Sequence, residues 1–66
     1  MAVAKVVEIT ASSKKSFDDA VRTGISRASE TLEGMTGAWV EQLKVAVESG
    51  KISEYRVKMR VSFILK

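Results

Sequence analysis

Twelve residues near the end of the chain, EYRVKMRVSFIL (54–65), constrain the fold more than any other feature. Tyr55, Val57, Met59, Val61, Phe63 and Leu65 alternate with Glu54, Arg56, Lys58, Arg60 and Ser62. A period of two over this length is the pattern of an extended strand with one apolar and one cationic face. No helix could separate these two sets. The apolar face needs a cover, and the cationic face must meet water, a second chain or a ligand.

The rest of the chain supplies the cover. Residues 2–10, AVAKVVEIT, are rich in β-branched side chains and end at the small-polar Ala11-Ser12-Ser13. Alternation sets Val3, Lys5, Val7 and Ile9 against Ala4, Val6 and Glu8, which predicts a strand buried in part on both sides. Residues 14–34 carry Phe17, Ala20, Val21, Ile25, Ala28 and Leu32 at steps of three and four, one face of a helix. Ser13 or Ser16 can cap its start, and Asp18 and Asp19 suit its positive end. Ser16 and Asp19 also have capping-box spacing. Gly34 is placed to close the helix in a left-handed cap. Gly24, inside it, calls for close approach to a neighbouring backbone.

Residues 38–47 (AWVEQLKVAV) and 51–66 are two further β-rich runs, joined by Glu48-Ser49-Gly50. A short Gly-containing turn between such runs predicts an antiparallel hairpin. The expected architecture is α+β: strand, helix, strand, strand, with a three-stranded antiparallel sheet packed on one helix. With no Pro and no repeat, residues 1–66 form one domain.

Size makes self-association the leading expectation. A chain of 66 residues buries only about 60% of its unfolded surface, which leaves a lone copy marginal. It has no Cys to staple it and no His to bind zinc. The same two absences remove the common nucleophile and the near-neutral base, so the chain is not expected to be an enzyme. Ser12, Ser13 and Ser16 are explained as turn and cap residues. Asp18, Asp19, Glu30, Glu33 and Glu48 are too scattered to assign a metal site. The first ten residues contain Glu8 and no long apolar run, unlike a signal peptide. No segment is long and apolar enough to span a bilayer. The expectation is a cytoplasmic protein with no membrane partner.

A net charge of +3 is modest. The stripe of Arg56, Lys58 and Arg60, with Lys44 across the hairpin, could contact phosphates, but no aromatic residue interleaves with it in the sequence and Glu41 and Glu54 lie close by. Nucleic acid is therefore not the expected partner.

Four stretches together resemble the dodecin family. VVEITASSKKSFDDAV resembles its first strand, turn and S-F/W-x-x-A helix start. ISRASETL resembles its helix end, through Ile25, Arg27, Ala28 and Thr31. GKISEY resembles the turn before its last strand, and YRVKMRVSFIL resembles Y-Q-V-x-x-x-V-x-F-x-L. The resemblance covers the whole chain and implies a hollow homododecamer that stores or buffers a flavin, riboflavin or flavin mononucleotide (FMN), without catalysis. In that family paired Trp side chains stack on the flavin, and a Gln hydrogen-bonds its edge.

Counted from Thr31, the family's Trp falls on Gly37 and its Gln on Arg56. The one Trp is Trp39, on the same strand face as position 37. It can stack on a ligand from there, or cover a contact between subunits. Arg56 can donate to a flavin carbonyl or a phosphate but cannot accept from the flavin N3–H. It can equally form an inter-subunit ion pair with Glu41 or Glu54. Gln42 is a third candidate, although alternation assigns it to the face of Ala38 and Val40. If flavin binding is lost, the family's other branch implies a dodecin that binds calcium or another cation, or no ligand.

Overall fold

The computed structural model describes residues 3–65. The order is β1 (Val3–Ser13), α1 (Phe17–Ser29), β2 (Met35–Glu48) and β3 (Lys51–Leu65). All pairing is antiparallel, and the last strand is the middle one, with the order β1-β3-β2. That position explains its strict alternation, since both of its edges are paired. Val57, Met59, Val61 and Phe63 are buried, while Leu65 at the end of the strand is 47% exposed.

Helix α1 packs on β1 and β3. Met59 and Val57 meet Ala20 at the centre, with Ile9, Ala11, Phe17, Val21 and Ile25 around them. The Phe17 ring meets Tyr55 edge-on, centroids 5.1 Å apart, and closes one end of the core. Ser16 is the N-cap, its Oγ accepting from Asp19 N at 2.9 Å. Ser13 takes a supporting part: its hydroxyl donates to Asp19 Oδ2 at 2.6 Å and accepts from Lys15 N at 2.9 Å. The β1–α1 turn is thus tied down by both serines that the sequence offered.

Gly24 faces the sheet. A Cβ there would lie 2.9 Å from both Ala11 Cβ and Met59 Cε. Gly24→Ala is therefore expected to destabilise the chain in urea denaturation. The overpacking cost of about 1–3 kcal/mol outweighs the helix-propensity gain of about 1 kcal/mol. A gain in stability would contradict this close approach.

Three expectations are corrected. The helix ends at Ser29 with Glu30 as its C-cap in right-handed geometry, so Gly34 does not cap it. Leu32 continues the apolar spacing only through one more turn, its N–H donating to Ala28 O at 2.9 Å. Gly34 is left-handed at φ 74°, and its carbonyl accepts from Ile64 N at 3.0 Å, which starts β2 beside β3. Strand β1 runs on through Ala11, Ser12 and Ser13, paired with Val57, Arg56 and Tyr55. It is also covered on one face only: Val7, Ile9 and Ala11 are half-buried, while Val6 on the other face is exposed.

The predicted hairpin is present. Ser49 and Gly50 both have positive φ, 51° and 76°, as a two-residue type I′ turn between Glu48 and Lys51 demands. Beyond Tyr55 the hairpin extends past the end of β1, giving a molecule 52 Å long and 13 Å thin. On the helix side of β2, Val40 and Leu43 stay 44% and 59% exposed, because α1 does not reach them. No helix among the described residues is long and apolar enough to cross a membrane.

Candidate functional site

The site candidate is the sheet face opposite α1. From β3 it carries Glu54, Arg56, Lys58, Arg60 and Ser62, and from β1 Glu8, Thr10 and Ser12, set by the pairs Glu8–Arg60, Thr10–Lys58 and Ser12–Arg56. On β2 the pairing is Gly37–Ser62, Trp39–Arg60, Gln42–Lys58 and Lys44–Arg56. The register shifts between Val40 and Gln42, where Glu41 is the extra residue of a β-bulge. A bulge reverses the alternation beyond it.

This shift corrects the sequence assignment of Gln42. Val40 opposes the buried Met59, but Gln42 opposes Lys58 and stands on the same face as Trp39 and Arg56. All three candidate residues therefore share one face. Gln42 and Arg56 line one open trough of about 610 Å³ with Thr10, Ser12, Lys44, Glu54 and Lys58. Trp39 lies outside that trough, farther along the face opposite Arg60, with 49% of its surface exposed. It also supplies the aromatic neighbour that the cationic stripe lacks in the sequence.

Gly37 is two residues from Trp39, about 7 Å along the strand. Its φ is not positive, and a Cβ would lie 3.5 Å from Ser62 Oγ, an ordinary contact. The Ser62 hydroxyl donates to Gly37 O at 3.3 Å. Nothing in the backbone demands glycine there.

The charges pair off within the chain. Arg56 donates from Nε and Nη2 to Glu54 Oε2 at 3.2 and 3.0 Å. The expected ion pair of Arg56 with Glu54 thus forms inside one copy, while Glu41 instead takes Arg60 at 3.1 Å. Lys58 lies 3.7 Å from Glu8. Lys44 makes no ion pair with a described residue. Such exposed pairs are worth at most about 1 kcal/mol each, so a ligand can displace them. Among the described residues no group of three or more carboxylates is placed to hold a metal ion.

A hydrogen bond from Ser12, then those from Arg56, hold the Glu54 carboxyl below its usual range. A depressed carboxylate stabilises the folded chain above its unfolded value, and that contribution is lost as pH falls through the folded value. The stability difference between the parent and Glu54→Gln is therefore expected to shrink in acid, below the ordinary carboxylate range. An NMR titration of Glu54 with an unshifted or raised midpoint would contradict this assignment.

Sequence reasoning missed Thr10 and Ser12 of β1. They reach the trough only because β1 pairs with the last strand, and nothing local in the sequence marks that pairing.

The geometry defines a β-α-β-β fold with one sheet face under its helix and the other open and charged, with one aromatic side chain, Trp39. The Dodecin family model matches residues 3–66, and the chain belongs to the dodecin family. It is 36% identical over 67 residues to "Calcium dodecin" of Mycobacterium tuberculosis, covering all of this chain and 93% of that one. Dodecin from Streptomyces davaonensis superposes with a TM-score of 0.94 at 32% identity, over 98% of this chain and 96% of that one. The crystal structure of the Mycobacterium tuberculosis protein, described as a calcium chelating immunodominant antigen with a novel calcium-binding site, superposes with a TM-score of 0.84 at 35% identity. That likeness covers 97% of this chain and 91% of that one.

Proposed function

We propose that this dodecin assembles with copies of itself and stores or sequesters a flavin on its open sheet face. The observation that carries the ligand reading is the bulge at Glu41, which sets Gln42 on the face of Trp39 and Arg56. Trp39 provides the flat surface for stacking. Gln42 replaces what Arg56 lacks, since a side-chain amide both donates to a ring carbonyl and accepts from the flavin N3–H. Arg56 donates to an oxygen once released from Glu54. Assembly is supported by the apolar strip of Val40 and Leu43, which the chain's own helix leaves bare. A homododecamer is the state that the family resemblance implies. Light scattering that found monomers or dimers at micromolar concentration would contradict it.

A second reading is favoured by the 36% identity to a protein named calcium dodecin. In that reading Glu8, Glu41 and Glu54 supply oxygen ligands, from several copies, in place of their present ion pairs. Calorimetric titration with riboflavin, FMN and calcium separates the two. Saturable flavin heat with none from calcium supports the first reading, and the reverse result replaces it with the second.

A further inference from the structure

Arg56 is already engaged within its own chain. Its Nε and Nη2 both donate to Glu54 Oε2, at 3.2 and 3.0 Å. The direction of that engagement matters. Gln42 opposes Lys58 and Trp39 opposes Arg60, so both lie from Arg56 toward the end of β3. Glu54 lies two residues the other way, about 7 Å back along the same face. The carboxylate is also held from a second strand. Ser12 stands opposite Arg56 on β1, and its hydroxyl donates to Glu54. Ser12, Glu54, Arg56 and Gln42 line one trough.

We propose that Glu54, steadied by Ser12, is a built-in competitor for Arg56: it turns the guanidinium away from Trp39 and Gln42, and a ligand on this face must take it over. This rests on the flavin reading above and deepens it by naming what regulates that site. Glu54 and Ser12 act through Arg56, so they are positioning residues and not ligand contacts. An exposed ion pair is weak enough to be exchanged for a ligand oxygen, yet strong enough to lower the ligand's affinity. The carboxyl adds a proton dependence. Once protonated, Glu54 no longer attracts the guanidinium by charge, so the site opens in acid. The other charges beside it are Lys14 after β1, Lys44 on β2 and Lys58 on β3, and all three stay positive there.

The test is a fluorescence titration of riboflavin, which is uncharged near neutral pH, on the parent protein, Glu54→Gln and Glu30→Gln. Glu54→Gln is expected to bind roughly two- to fivefold more tightly than the parent, the range that exposed ion pairs span. Glu30→Gln, which breaks the exposed pair with Arg27 at the helix end, should match the parent. The parent's affinity should rise toward that of Glu54→Gln as pH falls below the ordinary carboxylate range, and the gap between the two should close. Equal or weaker binding by Glu54→Gln, or a gap that persists in acid, would overturn the competitor and leave the flavin reading in place. If none of the three proteins binds riboflavin, the flavin reading fails, and hydrogen exchange at Arg56 Nε decides whether Glu54 holds the guanidinium. Protection in the parent and in Glu30→Gln, lost in Glu54→Gln, supports the competitor; no protection in the parent overturns it.

Discussion

Met59→Ala is expected to destabilise the folded chain by about 2–5 kcal/mol, the usual cost of emptying a buried Met site. Met59 is wholly excluded from solvent at the middle of the central strand, in the cluster with Ala20 and Val57. Collapse around the hole is limited. Gly24 already lies so near the sheet that an added Cβ would come within 2.9 Å of Ala11, and α1 is pinned at its start by Ser13 and Ser16. Small domains hold roughly 5 kcal/mol in all, at the low end of the general range, so this one change threatens the fold itself. Urea denaturation at fixed protein concentration measures it, because self-association ties stability to concentration. A loss below about 1 kcal/mol would mean that the core centre lies elsewhere.

Trp39→Ala should lower flavin affinity at least about 30-fold, the factor that corresponds to the ~2 kcal/mol of a hot-spot aromatic. The side chain is half-exposed in the single chain and contributes nothing to the core, so folding should survive. The same variant separates ligand from assembly. A dodecin whose Trp39 serves subunit contact would instead show a smaller particle by light scattering, with flavin affinity unchanged.

The strands, the helix and the hairpin were legible because their signals are local. The alternation of 54–65 names the buried Val57, Met59, Val61 and Phe63, and Ser16-x-x-Asp19 names the helix start. What escaped depends on partners remote in sequence. The central place of β3 follows from pairing across the whole chain. The helix end misled because Leu32 keeps helical spacing for one turn after Ser29.

The site was half legible for the same reason. Parity alone puts Trp39 and Arg56 on one face. Gln42 joins them only through the bulge at Glu41, which no Gly or Pro announces. A single extra residue reverses every assignment beyond it. The departures at Gly37 and Arg56 were plain in the sequence, but the face on which Gln42 stands was not. Only the register shows that an amide stands on that face, on the strand next to Arg56.

The most direct test of the central claim is a crystal structure of the protein grown with FMN. The account predicts an isoalloxazine ring stacked on Trp39, its edge within hydrogen-bond reach of Gln42 and Arg56. A ring placed away from Trp39, or an unliganded face with calcium held between Glu8, Glu41 or Glu54 of neighbouring copies, would contradict it.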